Sequence, residues 1–514
     1  MTMLKSAMPI GDHMVLQREQ EILLWGSYDG TEDVILRFHG AEVKAKCDGE
    51  KWQAVFPPMP ASGGESLSIT AGEETLTFAD VAVGEVWVAG GQSNMEFPMF
   101  YDADYSAELG ICENPDIRFF DMPEFVLKEQ LSERDYSRFG FWRPCTPENL
   151  GPYSAVGYYF AKEIYASLQV PVGILGCNWG GTPACSWIRE DYLEREHVRV
   201  WLDEYIEQTK DLDLEAYEKL VKSSPGYYRD NHLEDPVTAR MLTYKTEDEQ
   251  REYDRKVTEM MTASGADLLP PVGPLSDHAP GRLYHSMLSE IIGYGMRGAI
   301  WYQGESDEFH PDIYAQTMEA LVDCWRDAWG KKFPFLYVQL APFDHWMHCT
   351  GEQYPILRQQ QDLFSQTGEN VYMASIMDSG LAWDIHPKKK RPVGTRLGLL
   401  ARNKVYGDAV LADAPGAVSA TWENGRIRVA MANVGDGLTL RGDEIRDLQV
   451  FVDGREIDGF EAVVEGDCIL LGGPSLTGAR GSVVEIRLAW KPYAKVNLYN
   501  SAGLPAKPFR LTTV

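Results

Sequence analysis

No stretch of this 514-residue chain reaches about 18 consecutive apolar residues, so no membrane-spanning helix is expected. The opening segment, Met1 to Glu19, lacks a long apolar core and a small-residue cleavage site, which speaks against a signal peptide. CxxC pairs are absent among the eight cysteines (Cys47, Cys112, Cys145, Cys177, Cys185, Cys324, Cys349 and Cys468). Without an export signal these read as free thiols rather than bridges or zinc ligands, and a cytoplasmic location is the expectation. Basic charge is in deficit: 48 Lys and Arg stand against 77 Asp and Glu, a formal net charge of −29. A polyanion would be repelled at long range, so nucleic acid and anionic membranes are excluded as partners, and the charge reads as a solubility feature. There is no internal repeat and no low-complexity tract. His345, His348 and Cys349 form a compact set, but the further ligands of a zinc site are missing from their surroundings. No metal and no cofactor are expected.

What remains is a chain too long for one core, with 44% hydrophobic and 24% charged residues, in the range of globular proteins of two to four domains. Residues 1–80 read as short strands between turns, at Glu21–Trp25, Val34–Phe38, Trp52–Phe56 and Ser66–Thr70, and predict a small β-sandwich-like domain. From 81 to 406 short apolar runs alternate with helical patterns. The runs Val83–Ala89, Val170–Cys177, Arg297–Tyr302, Phe333–Leu340 and Val371–Asp378 suit buried parallel strands. The helical patterns fall at 156–168, 284–293, 312–327, 353–366 and 393–405, and the alternation predicts a doubly wound α/β domain. A charged stretch at about 189–260 interrupts this order and reads as a solvated helical insertion. Strands return over 407–514, at Val418–Trp422, Ile427–Ala432, Leu448–Val452, Cys468–Leu471 and Val483–Leu488, and predict a second β domain.

An open parallel sheet binds ligands beyond the carboxyl ends of its strands, so the residues that follow each strand matter most. After the first comes Gly90-Gly91-Gln92-Ser93-Asn94-Met95, a tight turn that presents a serine with its own N–H near by; such a serine can attack an ester and help hold the oxyanion. It is not the G-x-S-x-G elbow, because Met95 stands at the second glycine. After the second comes Cys177-Asn178-Trp179-Gly180-Gly181-Thr182-Pro183, whose paired glycines offer backbone N–H groups or form only a tight turn. After the third comes Trp301-Tyr302-Gln303-Gly304-Glu305-Ser306-Asp307, with an amide donor and a carboxylate able to orient an imidazole. After the fifth comes Asp378-Ser379-Gly380, then Trp383-Asp384-Ile385-His386-Pro387. Among ten histidines His386 stands out, past a strand end, with a carboxylate two residues upstream and a proline restricting its backbone. His310 also precedes a proline but reads as the approach to the 312–327 helix.

At these residues the chain resembles the sialate O-acetylesterase family, a branch of the SGNH (GDSL-like) hydrolases. Gly84-Glu85-Val86-Trp87 running into Gly91-Gln92-Ser93-Asn94-Met95-Glu96 is similar to the family's nucleophile block. Asn178 to Pro183, preceded by the helix from Ser154 to Phe160, resembles its glycine block; Trp301 to Ser306 resembles its third block and Asp384 to Pro387 its histidine block. Asp12 to Arg18 is similar to the family's opening segment, and Asn497 to Asn500 with Gly503 to Ala506 to its closing one.

The resemblance implies a flavodoxin-like SGNH hydrolase domain flanked by N- and C-terminal β-sandwich-like domains. It further implies a carbohydrate acetylesterase with Ser93 as nucleophile and His386 as base. The oxyanion hole would come from Ser93, Gly180 or Gly181, and Gln303, where typical relatives carry asparagine. The acid orienting His386 is Glu305 or Asp384, with Glu305 slightly favoured, because the usual position three before the histidine is Trp383. Gln92, Asn94, Trp179 and Trp301 flank these blocks as candidate substrate contacts. The expected partner is an acetylated sugar or oligosaccharide, and homo-oligomerisation is left open. The competing readings are a non-catalytic carbohydrate-binding protein with a degenerate hydrolase domain, and a metal-dependent hydrolase.

Overall fold

The computed structural model describes residues 3–133, 139–223, 242–264, 271–346 and 349–513. The chain is a mixed α/β protein with several sheets, and it divides into two compact units. The first comprises Met1–Thr243, Asp267–Gln303 and Gln316–Phe335; the second comprises Tyr244–Ala266, Gly304–Ala315 and Leu336–Val514.

In the first unit an antiparallel sheet runs in the order Leu4–Ser6, Ile22–Tyr28, Lys51–Phe56, Lys46–Asp48. Strict alternation along Lys51–Phe56, with Trp52, Ala54 and Phe56 buried, is the mark of a strand with one face on a core. The organising strand is Glu74–Gly91, 18 residues long. Its first half pairs antiparallel with Ser62–Ala71, and Val15–Gln17 lies parallel to its middle. Its second half lies between Val172–Asn178 and Gly298–Tyr302, parallel to both. Residue 80, where the sequence suggests a domain boundary, therefore lies within one continuous strand. Both flanking strands are buried at every position, as expected of parallel strands covered on two faces.

Two further strands in this sheet, Asn114–Asp121 and the edge strand Trp142–Cys145, are absent from the sequence reading. The predicted 156–168 helix is Ala155–Leu168, started by Ser154, whose hydroxyl oxygen accepts the Gly157 N–H (3.0 Å). The same hydroxyl donates to the Met95 carbonyl (2.5 Å), which ties this helix to the segment carrying Ser93. The helix expected at 284–293 is instead a short helix, Arg282–Ser286, followed by a 3-10 turn, Leu288–Glu290. Bonding slips there from Met287 N–H on the Leu283 carbonyl to Glu290 N–H on the Met287 carbonyl. The apolar spacing that suggested one helix is equally well buried by two tight turns.

In the second unit Phe335–Val338, from Leu336 onward, neighbours Val371–Ala374, and the predicted helices appear as Tyr354–Thr367 and Arg391–Lys404. Residues 416–512 form two four-stranded antiparallel sheets and a two-stranded one that pairs Thr439–Leu440 with Leu498–Tyr499. One core draws on both four-stranded sheets, with Ile427, Val429, Ile469 and Leu471 from the first and Val450, Val484, Ile486 and Leu488 from the second. The insertion is helical where described, at Val200–Thr209, Leu214–Ser223 and Glu247–Ser264; its residues 224–241 lie outside the described residues. All eight cysteines are free.

A buried charge holds the first unit together at its base. Glu85 is fully buried, and its carboxylate takes Arg18 Nε at 2.6 Å and Arg297 Nε at 2.8 Å. Burial would raise this carboxyl's pKa, but the two guanidinium groups outweigh it and hold it below the ordinary value of 4.5. The opening motif joins in, since the Gln17 side-chain oxygen accepts the Val86 N–H at 2.8 Å. Removing one member of such a set strands the others without a partner, at a typical cost of about 3 to 5 kcal/mol. Glu85→Ala should therefore lower the thermal midpoint by several degrees, whereas an unchanged midpoint in differential scanning fluorimetry would refute the role. The stabilisation is present above pH 4.5 and is lost as pH falls through the lowered folded value.

Candidate active site

Three loops of the first unit leave the sheet at one level because the strands beneath them are in register. Gly91 sits opposite Asn178 on one side and Tyr302 on the other. The ladder continues one step further, with Gln92 N–H on the Tyr302 carbonyl (3.1 Å) and Trp179 N–H on the Gly91 carbonyl (3.1 Å). Gly91 has φ +137°, and a side chain there would come within 2.2 Å of the Tyr302 carbonyl oxygen. Only glycine permits this turn out of the strand.

Ser93 opens a one-turn helix, Ser93–Glu96, and is half-buried, while its neighbours Asn94 and Met95 are buried. The glycine turn comes up against it: a methyl group at Gly180 would lie 3.2 Å from Ser93 Cβ and 3.0 Å from Glu96 Oε2. The Gly180 N–H donates to Glu96 Oε2 at 2.8 Å. Gly181 follows with φ +81°, in the left-handed region, at the surface. Ser93 and the glycine turn are thus neighbours, and of the two glycine amides the Gly180 N–H points at a carboxylate.

Gln303 is fully buried, and its side-chain amide donates to the Thr182 carbonyl (3.3 Å), which links the third block to the glycine block. Trp301, proposed as a sugar contact, is 1% exposed. Its ring packs edge-on against Trp187 (6.4 Å) and Trp325 (5.6 Å), so it has no face to offer a sugar and fills the core. Gln92 and Asn94 are also buried, whereas Trp179 is half-buried beside Gly180. Two residues here escape the sequence reading. Glu96 is one; its signal is the spacing of three from Ser93, which puts both on one side of a helical turn. His278 is the other: its Nδ1 is 2.8 Å from Asp277 Oδ1, and the Gly181 backbone lies near enough to its ring to favour the charged form. Desolvation pulls its pKa down, but Asp277 and the Gly181 backbone together outweigh it and raise it.

Glu305, Asp384 and His386 belong to the second unit. His386 is 2% and Asp384 1% exposed. Asp384 Oδ1 accepts the His386 backbone N–H (2.8 Å), an Asx turn that brings the carboxylate back toward the imidazole, with Nδ1 at 3.5 Å. Asp384 Oδ2 takes the buried Lys388 ammonium at 2.7 Å. Trp346 stands edge-on to the imidazole, 5.3 Å between ring centres. Glu305 is buried at the start of the 3-10 turn Glu305–Asp307. The carboxylate beside Nδ1 is thus that of Asp384, two residues upstream. Burial pushes the His386 pKa down to about 4, Asp384 opposes that, and the Lys388 and Lys390 charges add to the lowering. The ring is therefore neutral at ordinary pH, as a general base must be. Of the compact His345, His348 and Cys349 set, His348 lies outside the described residues; among the described residues no three His, Cys, Asp or Glu side chains are grouped to hold a metal. No described helix is long and apolar enough to cross a membrane.

Comparison with known proteins finds similar chains among the carbohydrate esterases. A family profile described as carbohydrate esterase, sialic acid-specific acetylesterase, matches residues 272–386, a segment that contains His278, Gln303 and His386. The chain is 25% identical to a sialate O-acetylesterase from Pongo abelii, over 97% of this chain and 91% of that protein. It is 26% identical to the one from Homo sapiens, over 78% and 70%. It also superposes on the crystal structure of a carbohydrate acetylesterase from Xanthomonas citri with a TM-score of 0.75 and 26% identity, covering 98% of this chain and 99% of the other.

The lowered histidine pKa can be read directly. With 13C-labelled histidine, the His386 ring signal, assigned by its loss in His386→Gln, should titrate near pH 4, well below the ordinary 6.5. A midpoint at 6 or above would overturn the burial argument.

Proposed function

From the premise that this chain is an esterase related to the sialate O-acetylesterases, we propose that it hydrolyses O-acetyl esters on sugars through an acetyl-enzyme formed on Ser93. In this reading the parallel sheet belongs to a flavodoxin-like SGNH domain with flanking β-sandwich-like domains. The observation that carries it is the meeting of Ser93 with the Gly180–Gly181 turn at the carboxyl ends of adjacent parallel strands.

His386, neutral at the working pH, takes the Ser93 proton as the oxygen attacks the acetyl carbonyl. Backbone amides of Ser93 and the glycine turn stabilise the tetrahedral oxyanion, with Gly181 the better candidate because the Gly180 N–H serves Glu96. His386 returns the proton to the departing sugar oxygen. Water, deprotonated by the same imidazole, then attacks the acetyl-serine and releases acetate. Asp384 orients the imidazole and supports its transient positive charge. The sugar is an O-acetylated sialic acid or an acetylated plant-derived oligosaccharide, such as a xylan, mannan or xyloglucan fragment. The half-buried Trp179, beside Gly180, offers a ring for a sugar face to pack on.

Ser93→Ala and His386→Ala should each cut acetate release from p-nitrophenyl acetate by about 10⁴-fold or more. Ser93→Ala should also lose labelling by a fluorophosphonate; retention of either activity or label would remove Ser93 from the mechanism. The acid member is tested by pairing Asp384→Asn with Glu305→Gln. The larger fall in kcat should follow Asp384→Asn, and the reverse order would hand the role to Glu305. A panel of acetylated sialic acids and acetylated xylo-, manno- and xyloglucan oligosaccharides, read by acetate release, identifies the sugar.

A further inference from the structure

We propose that Glu96 is a positioning residue, whose carboxylate clamps the Gly180–Gly181 turn against Ser93 and thereby aims the turn's amide at the reacting carbonyl. The inference rests on the Ser93 reading above. Two consecutive glycines give a backbone with wide conformational freedom, and an oxyanion donor is useful only if its direction is fixed before the reaction. Something must therefore restrain the turn. The Gly180 end is held by Glu96, which accepts its N–H at 2.8 Å. The bond joins an amide to a carboxylate, the stronger class of hydrogen bond. The next peptide, whose N–H belongs to Gly181, follows directly from this tether.

Glu96 suits the task by its place in the chain. It lies three residues after Ser93 in the same one-turn helix, so nucleophile and clamp move as one body. That helix is in turn anchored by the Ser154 hydroxyl on the Met95 carbonyl (2.5 Å). The packing leaves no slack, since even a methyl group at Gly180 would press on Glu96 Oε2 at 3.0 Å and on Ser93 Cβ at 3.2 Å. A bulkier or repositioned turn would shift the amide relative to Ser93, and misplacement by about 1 Å can cost on the order of 100-fold in rate.

The test uses the full chain with p-nitrophenyl acetate. Glu96→Ala should lower kcat by about 10- to 100-fold with KM within about threefold of wild type, the pattern of a lost transition-state interaction. Glu96→Gln keeps an acceptor oxygen at the same reach and should recover kcat to within about threefold, which a requirement for mere charge would not allow. If Glu96→Ala does not fold, Glu96→Asp carries the same test, because its carboxylate stops one methylene short of Gly180 and kcat should again fall without a matching rise in KM. Wild-type kcat in Glu96→Ala beside an inactive Ser93→Ala would overturn the clamp alone. So would a loss confined to KM, or a Gln variant as slow as the Ala variant. An active Ser93→Ala would instead overturn the esterase mechanism on which the clamp rests.

Discussion

Parallel register is the constraint from which the first unit's chemistry follows. Gly91, Asn178 and Tyr302 lie side by side, so the residues after them, Gln92, Trp179 and Gln303, start their loops from the same height. Ser93 then meets the glycine turn, and the Gln303 amide bonds the end of that turn at the Thr182 carbonyl. A slip of one residue in either pairing would flip every side chain of the moved strand to the opposite face and carry its loop away from Ser93. Full burial of the flanking strands makes such a slip costly, and the large rings around Trp301 and Trp325 pin the register further. The aromatic content of the third block thus serves geometry: Trp301 supports the loop rather than touching a sugar.

The same strand carries that constraint down to the base of the unit. Glu85 lies in Glu74–Gly91 six residues before Gly91, and its two arginines come from the opening segment and from the residue just before Gly298–Tyr302. Arg297 therefore sets the height at which its strand enters the sheet, and its backbone N–H bonds the Val86 carbonyl at 2.7 Å. Gln17-Arg18 and Gly84-Glu85 are legible as a structural unit once this buried charge is seen. Their place is to fix the sheet on which the reacting loops stand.

Most of the fold was legible in the sequence because burial imposes simple periods. Lys51–Phe56 alternates, Val172–Asn178 is buried throughout and free of polar side chains up to Cys177, and Arg391–Lys404 buries a helical stripe, so each type declared itself. Asn114–Asp121 did not, since its first three residues, Asn114, Pro115 and Asp116, are not buried and only four positions of the strand are. Trp142–Cys145 contains a proline and is short, both properties of an edge strand that mask it. The candidate residues Ser93, Gly180, Gly181, Gln303 and His386 stood out because they follow strand ends. The carboxylate beside His386 was harder to see. A carboxylate two residues before a histidine does not suggest a side-chain partner until the Asx turn at Asp384 folds it back. Glu96 was hidden for a related reason, because it acts on the backbone of a distant segment and no local pattern records such a bond.

The histidine side of the chemistry shows how the second unit reconciles two opposed demands. The proposed base must stay neutral until it is needed, which burial among Trp346 and the chain around it secures by disfavouring the charged ring. A base must also accept a proton in the transition state, and burial alone would make that step expensive. Asp384 answers the second demand, but an unscreened carboxylate at 1% exposure would charge the imidazole permanently. Lys388 resolves the conflict: its ammonium on Oδ2 stabilises the carboxylate's charge in the interior and tempers its pull on the ring. The Lys388–Asp384–His386 sequence thus leaves the imidazole uncharged at rest with a fixed negative partner 3.5 Å away. That partner's influence grows only when a proton arrives on the ring, which is the moment at which the proposed chemistry calls on it.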